Sequence, residues 1–364
     1  MPLQEIQGAI ERLAFEGRLT GAQELRSGHV NRTYRLDFEA PQGCYILQKI
    51  NAYAFHRPDQ VMENAQKVTA HIAQKLRALG LPTHRRVLEF VPARAGGFLA
   101  TDAQGEAWRA YRFIDDAVAF DRVQSPAQFR EAGRAFGEFQ SWLADFPAAQ
   151  LHETIPHFHH TPRRFADFVA AAMRDEAGRA SGVEREIDFF FDRRKQMDQI
   201  VRRIASGELP LRVTHNDTKI NNVLLDAQTG GALCVIDLDT VMPGSALYDF
   251  GDAIRFGAAT ADEDQAEGMA LDMALFEEFA AGFLEQAGAL LTPEEVRLLP
   301  LGVVVITCEL AMRFLTDYLL GDRYFKIDRP GHNLDRARAQ MALLEDAERK
   351  FDQMQAVVGR LAPA

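Results

Sequence analysis

Three cysteines among 364 residues are too few and too widely spaced to build a disulfide framework. Cys44, Cys234 and Cys308 all lie in apolar contexts, which favours reduced thiols in a protein core. Such sparse cysteine usage is typical of reducing compartments. We therefore expect a cytoplasmic protein.

Basic residues are also in short supply. The chain has 41 Lys and Arg against 52 Asp and Glu, which gives a formal net charge of −11. A nucleic-acid-binding surface needs many cations facing the phosphates, so we predict no nucleic-acid partner. A nucleotide ligand is compatible with this balance, because a few local cations are enough to bind it.

The chain lacks a clear membrane-spanning segment. Its most apolar stretch, Leu298–Met312, is broken by Pro300 and Glu309 and predicts a core helix. Met1–Phe15 has acidic residues and no basic n-region, so it predicts an amphipathic helix and not a signal peptide. We expect no membrane partner.

The predicted elements divide the chain into two parts. The first part has predicted strands at Leu25–Glu39, Tyr45–Asn51, Val87–Val91, Phe98–Thr101 and Ala107–Ile114. One helix is predicted between the second and third of these strands, at Pro58–Leu79. The second part is mainly helical, with predicted helices starting at Pro126 and at Pro162–Arg174, Glu184–Ile204, Tyr248–Gly257, Met269–Gln286, Pro293–Leu320 and Asn333–Val358. We predict an α+β fold with a β-rich N-lobe at 1–114, a helical C-lobe at 115–364 and a hinge between them.

One short segment carries the chemistry. His215, Asp217, Lys219 and Asn222 follow the spacing His-x-Asp-x-Lys-x-x-Asn, and Asp237 comes after a short predicted hairpin. Phosphoryl transfer needs a carboxylate for the attacking hydroxyl and an Asn with an Asp for Mg²⁺. Any one of these residues alone would be typical of a capped turn or an acidic surface, but together they favour a kinase site.

The hairpin explains how the metal ligands meet. Asn222 precedes one strand and Asp237 follows the return strand, so an antiparallel pair places them side by side at its open end. We predict Asp217 as the proton acceptor, Lys219 as the γ-phosphate contact, and Asn222 and Asp237 as Mg²⁺ ligands. Asp239, expected on an extended strand, is a candidate ligand for a second metal.

Longer strings of residues resemble a known group. The pattern from His215 to Asp237, followed by YDFGD at 248–252, resembles the aminoglycoside phosphotransferase and choline kinase superfamily. The strings VTHNDTK, IDLDTVMPG and FGDAIRFG, together with SGHVN, YILQKIN and MRFL, resemble the bacterial N-acetylhexosamine 1-kinases. This resemblance implies a two-lobed, protein-kinase-like (aminoglycoside phosphotransferase-like) fold.

The resemblance also implies a reaction. Such enzymes transfer the γ-phosphate of ATP to the anomeric hydroxyl of N-acetylglucosamine or N-acetylgalactosamine, with Mg²⁺ as cofactor. Asp217 matches the base, whereas His29, Arg313 and Tyr324 match positions that contact the sugar. From the residues alone, a surface turn histidine is the more common interpretation of His29. Arg313 is equally an ion-pair partner of Glu309 one turn earlier, and the alternative for Tyr324 is ordinary packing.

The nucleotide site is less sharply defined by the sequence. Lys49 on the predicted strand Tyr45–Asn51 is our candidate for the phosphate contact, and Gln48 is the alternative if the strand register shifts by one residue. Glu63 is a candidate partner for Lys49, although a solvated surface glutamate is the more common case. Backbone groups from Arg112 to Ile114 are expected to meet adenine.

Asp249, at the start of a helix, is expected to support the backbone of the catalytic loop. His152, His157, His159 and His160 form a cluster that we interpret as loop histidines and not as a metal site.

Other functions stay open at this stage. The acceptor of a related kinase would be an aminoglycoside, choline or homoserine, and a pseudokinase would bind nucleotide without turnover. Arg313 disfavours a cationic acceptor, and the complete set of catalytic residues disfavours a pseudokinase. The sequence leaves open the preference between the two N-acetyl sugars, the number of metal ions, and whether the protein is a monomer or a dimer.

Overall fold

The computed structural model describes residues 2–25, 30–40 and 43–363. Its first part is a five-stranded antiparallel sheet in the order β1-β2-β3-β5-β4. The strands of this sheet are β1 Leu19–Leu25, β2 Arg32–Phe38, β3 Cys44–Lys49, β4 Ala100–Thr101 and β5 Ala107–Arg112. Helix α1, Pro2–Arg12, precedes them in the chain. Helix α2, Pro58–Ala78, lies between β3 and β4 in the chain.

The two faces of this sheet have different roles. One face is apolar and forms a small core with α1, in which Tyr34, Leu47 and Trp108 are fully or almost fully buried. Side chains alternate along a strand, so Gln48 and Arg109, which pair across β3 and β5, lie on the opposite face. That second face looks towards the helical part of the protein.

The second part of the chain is mainly helical and carries short strands between its helices. Its helices are α3 Pro126–Trp142, α4 Thr161–Arg174, α5 Glu184–Asp192, α6 Arg194–Met197, α7 Gln199–Ser206, α8 Ala246–Gly257, α9 Met273–Ala287, α10 Pro293–Leu319, α11 His332–Arg349 and α12 Phe351–Leu361. Its strands are β6 Ala117–Val118, β7 Arg212–Thr214, β8 Val223–Asp226, β9 Ala232–Val235 and β10 Met242–Gly244.

The large core forms around α10. This helix of 27 residues is apolar and long enough to span a membrane by composition, but 89% of its most apolar window is buried inside the protein. It packs against α8, α11 and α4, which confirms the prediction of a core helix. Thr292 and Glu295 form a capping box at its start.

Two glycines bring α8 close to α10. A Cβ atom on Gly251 would lie 2.3 Å from the carbonyl oxygen of Gly302, and one on Gly302 would lie 2.1 Å from the carbonyl oxygen of Leu247. Only glycine permits this approach of the two backbones. As a result, α8 and α10 pack with their backbones in direct contact at this point.

Several predicted boundaries are wrong. The strand expected at Leu25–Glu39 is β2, which begins at Arg32, and the strand expected at Val87–Val91 is only an isolated bridge between Phe90 and Tyr111. The helix expected at Glu184–Ile204 is interrupted at residues 193 and 198, and the last predicted helix at residue 350. Neither of these helices contains Pro or Gly at its break, so the usual sequence signal was missing.

Candidate active site

The hairpin of β8 and β9 places the two predicted metal ligands at its open end. Val223 pairs with Val235, and the Ile236 N–H donates to the carbonyl oxygen of Asn222 at 2.9 Å. Asn222 and Asp237 therefore flank the same end of the ladder, as the sequence predicted.

Asp237 itself adopts a left-handed backbone conformation with φ 59° and ψ 58°. The chain then enters a 3₁₀ turn, Leu238–Thr240. The expectation that Asp239 follows on an extended strand is therefore wrong, because the backbone reverses direction at Asp237.

Two side chains contact the Asp217 carboxylate. The Nζ atom of Lys219 lies 3.1 Å from Oδ1, and the Nδ2 atom of Asn222 donates to Oδ2 at 3.0 Å. Burial alone would lower the pKa of Lys219, but the charges of Asp217 and Asp252 raise it above its usual value. Lys219 is therefore a permanent cation beside the predicted base.

Asp249 holds the backbone of the catalytic loop. Its carboxylate accepts the N–H of His215 at 2.9 Å, the N–H of Asn216 at 2.8 Å and the Nε2–H of Gln140 at 2.8 Å. Burial raises its pKa above the ordinary value. The structure confirms the expected role of Asp249 in supporting the loop.

His215 links the loop to the hairpin. Its Nε2 atom lies 2.9 Å from the carbonyl oxygen of Ile236, and its Nδ1 atom lies 3.3 Å from the N–H of Asp217. The carbonyl can only accept, so the ring carries its proton on Nε2 and accepts at Nδ1. Phe136 and Phe139 pack edge-on to the ring.

Negative charge accumulates where a cation is expected. Burial and the nearby charges of Asp239 and Asp217 raise the pKa of Asp237 to about 6, although the charge of Arg109 opposes the shift. The Asp237 carboxylate accepts no hydrogen bond from any residue that the structure describes. A carboxylate with this surplus of negative neighbours, next to an amide oxygen, is a suitable donor set for Mg²⁺.

Asp239 is held by the N-lobe. Asn31 donates from Nδ2 to Oδ2 of Asp239 at 2.6 Å, and the Nη1 atom of Arg109 forms an ion pair with Oδ1. The Arg109 and Asp239 side chains are only 3% and 4% exposed. Asp239 thus has two protein partners here, which makes it a weaker candidate for a second metal than the sequence suggested.

Lys49 does not come to this site. It lies on the sheet face that carries Leu47 and Trp108, and its Nζ atom pairs with Glu106 at 2.9 Å. Gln48 occupies the face towards Asp239. The candidate pairing of Lys49 with Glu63 does not form. Glu63 pairs instead with Lys67 of α2 and with His152 of the segment before α4.

The hinge offers fewer backbone groups than predicted. The N–H of Arg112 donates to the carbonyl oxygen of Glu89 at 2.9 Å, so it is occupied. Its side chain lies on the outer face near the Tyr45 ring. The N–H of Ile114 has no backbone partner within the described ranges, and Ile114 is therefore the better candidate of the two for adenine.

Arg313 lies among aromatic rings. The centre of its guanidinium group is 5.3 Å from the Phe158 ring centroid, 5.7 Å from that of Tyr324 and 5.5 Å from that of Phe325. Its Nη1 atom is 3.8 Å from Glu309, too far for a hydrogen bond. Tyr324 is 59% exposed. His29 lies outside the described residues.

Sequence reasoning missed the contacts of three residues near these groups, one of which, His159, was interpreted only as a loop histidine. The Nδ1 atom of His159 lies 3.1 Å from the buried Glu309 carboxylate, and the His159 ring packs on Tyr248. Burial, and then the charge of Arg313, lower the pKa of Arg164. Arg109 is the third. The sequence carries no local signal for them, because their partners are distant in the chain.

Comparisons with known proteins agree with this architecture. The chain resembles an aminoglycoside phosphotransferase from Alicyclobacillus acidocaldarius with a TM-score of 0.61 and 10% identity, covering 96% of this chain and 95% of that one. It resembles a choline/ethanolamine kinase family protein from Mesorhizobium loti with a TM-score of 0.56 and 17% identity, covering 98% and 99%. Likenesses at this identity show the fold alone.

A third similar structure is a spectinomycin phosphotransferase in complex with ADP and spectinomycin, with a TM-score of 0.54 and 13% identity over 95% of this chain and 98% of that one. The family model for the phosphotransferase enzyme family, APH, matches residues 21–299, which is well over half of the chain. These residues include the whole of the catalytic loop and the hairpin. The chain belongs to the phosphotransferase enzyme family.

Proposed function

We propose that this phosphotransferase uses ATP to phosphorylate the anomeric hydroxyl of an N-acetylhexosamine. The observation that carries the proposal is the Asp217 carboxylate, which lies between Lys219 and Asn222 and near the Asp237 carboxylate, itself without a hydrogen-bond donor among the described residues. This arrangement brings a proton acceptor, a phosphate-binding cation and metal ligands together in one place.

Asp217 orients the attacking hydroxyl and accepts its proton. Lys219 forms an ion pair with the carboxylate and has further N–H groups for the transferred phosphoryl group. Asn222 fixes one carboxylate oxygen by its hydrogen bond, which leaves Oδ1 for the substrate once Lys219 turns to phosphate. Positioning contributes more than proton transfer, since the transition state of phosphoryl transfer is loose.

Asn222 and Asp237 are the residues that would hold Mg²⁺. The cation would neutralise charge on the phosphate groups. The raised pKa of Asp237 reflects the surplus of negative charge that such a cation would offset. Asp239 would bind a second cation only if its contacts with Arg109 and Asn31 were broken.

The acceptor pocket favours a neutral sugar. Arg313 donates no hydrogen bond to any described residue, so its N–H groups can meet hydroxyl or carbonyl oxygens. Its guanidinium fills the aromatic surroundings that a quaternary ammonium group would need. Choline and polycationic aminoglycosides would be repelled by Arg313 and by the neighbouring Arg164. We assign Tyr324 and, from the resemblance, His29 to the same sugar.

A substrate panel tests the proposal. ADP release would be measured with MgATP and N-acetylglucosamine, N-acetylgalactosamine, choline, kanamycin or homoserine. We expect turnover with one or both N-acetyl sugars, and none with their methyl glycosides, in which the anomeric hydroxyl is blocked. Turnover with choline, kanamycin or homoserine alone would contradict the proposal while leaving the phosphotransferase family intact.

A further inference from the structure

The sheet face towards the active site carries a cation that the sequence did not single out. Among the described strand residues, the inward face of β2, β3 and β5 presents two cations, Arg35 and Arg109. Arg35 already pairs with Asp37 at 3.0 Å and lies over the ring of Phe113 at the hinge. Arg109 is the one that reaches the proposed metal site, where it pairs with Asp239.

Gln48 fixes the guanidinium of Arg109. Its Oε1 atom accepts from Nε at 2.9 Å and from Nη2 at 2.8 Å. The Nε2 atom of Gln48 in turn donates to the hydroxyl of Thr33 at 3.3 Å. Three adjacent strands therefore set the orientation of one side chain, which is the arrangement expected where a planar donor must meet a ligand.

The contacts of Arg109 leave donors for a ligand. Gln48 covers the Nε and Nη2 edge, and Nη1 forms an ion pair with Asp239. Each terminal nitrogen of a guanidinium carries a second hydrogen, so Nη1 and Nη2 retain donors beyond these bonds. Asp237 lies close enough for the charge of Arg109 to act on it, so these donors are near the proposed metal ligand.

We propose that Arg109, positioned by Gln48, binds the phosphate groups of the nucleotide. It would replace the lysine that protein kinases carry on the third strand, from the neighbouring strand. Planar guanidinium groups bind phosphate oxygens in pairs, which a lysine cannot do. Asp239 supplies the negative charge beside Arg109 when no phosphate is present. This inference rests on one part of the proposed function, the use of a nucleoside triphosphate as phosphate donor.

The competing explanation is a structural ion pair. Arg109 and Asp239 come from the sheet and from the helical part, and their pair could serve only to join the two. Loss of a purely structural pair would weaken the binding of ADP and of adenosine equally. Loss of a phosphate contact would weaken the binding of ADP and leave the binding of adenosine unchanged.

Calorimetric titration separates the two explanations. MgADP and adenosine would be titrated into the full chain and into Arg109→Lys and Gln48→Glu. Gln48→Glu retains both members of the buried pair and adds a carboxylate that competes for Arg109. Lys49→Gln, one residue along the same strand but on the outer face, is the matched control.

We expect both variants to lose about tenfold or more in MgADP affinity, the scale of a charge-assisted contact, with adenosine affinity unchanged. Lys49→Gln should bind both ligands like the parent protein. Equal losses for MgADP and adenosine, no loss in either variant, or a selective MgADP loss in Lys49→Gln would overturn the inference. No sugar takes part, so failure of the sugar panel leaves this result unaffected.

Thermal unfolding of each variant checks the fold. If Arg109→Lys unfolds at a much lower temperature, Gln48→Glu decides the question alone, because it retains both Arg109 and Asp239. An unchanged MgADP affinity in a folded Gln48→Glu protein would then contradict the contact between Arg109 and phosphate, because the added carboxylate competes for Arg109.

Discussion

The Nδ2 atom of Asn222 donates a hydrogen bond to Oδ2 of Asp217 at 3.0 Å. The proposed metal ligand and the proposed base are thus connected directly, before any substrate binds. The same amide nitrogen also donates to the backbone carbonyl of Asp217 at 2.8 Å. This double contact fixes both the loop and its carboxylate, and leaves the amide oxygen of Asn222 for a cation.

Asp217→Asn should abolish most of the activity. We expect kcat to fall about 10²-fold or more, the usual scale for loss of a general base, with little change in melting temperature. Steady-state ADP release measures the effect. Asp352→Asn, an exposed aspartate on α12, is the control and should retain full activity. Near-normal turnover of Asp217→Asn would show that Asp217 is not the proton acceptor.

Asp237→Asn should stabilise the protein in the absence of divalent cations. The raised pKa of about 6, against 3.8 for a free carboxyl, means that ionised Asp237 destabilises the native state. The penalty is present above about pH 6 and disappears as the pH falls towards 3.8, because the native state takes up the proton first. Denaturant unfolding should show a gain on the order of 1–3 kcal/mol at pH 8.

The same comparison at pH 5 supplies the check on Asp237. The difference between parent and Asp237→Asn should be clearly smaller there than at pH 8. A difference that grows on acidification would contradict the assigned charge environment.

Mg²⁺ should stabilise the parent protein and not Asp237→Asn. Binding to the native state raises the melting temperature by mass action. The increase should weaken below pH 6, because protonated Asp237 is a poor ligand. Differential scanning calorimetry with and without Mg²⁺ measures both effects, and an equal Mg²⁺ response in the variant would place the cation elsewhere.

Asp249→Asn should damage both stability and catalysis. An asparagine has one acceptor oxygen in place of two, so at least one of the three buried donors that now meet Asp249 loses its partner. An unpaired buried donor costs about 1–3 kcal/mol. Unfolding and kcat should decline together, since the N–H groups of His215 and Asn216 set the course of the loop. A stable but inactive variant would instead point to a direct chemical role.

Arg313→Met should weaken sugar binding selectively. We expect the KM for the N-acetyl sugar to rise about tenfold or more, with the KM for MgATP unchanged, as for loss of a charge-assisted hydrogen bond. Arg323→Met is a matched control, because Arg323 is 66% exposed and pairs with Glu176. If both variants behave alike, Arg313 is a packing residue.

The sequence was sufficient for the catalytic loop and the hairpin because their residues are neighbours in the chain. Asp217, Lys219 and Asn222 meet within one loop, and a short antiparallel turn brings Asp237 back to them. The support by Asp249 was also predictable, since α8 follows the hairpin closely. Local geometry determines all of these contacts.

The N-lobe contact required information that the sequence does not carry. Alternation correctly placed Leu47 and Lys49 on one face, but could not show which face of the sheet meets the helical part. Arg109 is separated from Gln48 by helix α2 and two loops, and from Asp239 by more than a hundred residues. The left-handed conformation of Asp237 likewise had no signal, because aspartate adopts it only occasionally.

The most direct test of the proposed function is the position of the phosphate on the product. The parent protein would be incubated with MgATP and N-acetylglucosamine, and in parallel with N-acetylgalactosamine, and the products analysed by coupled ¹H and ³¹P NMR. We predict a phosphate coupled to the anomeric proton of at least one of the two sugars. Phosphate on any other carbon, or no sugar phosphate from either substrate, would contradict the account.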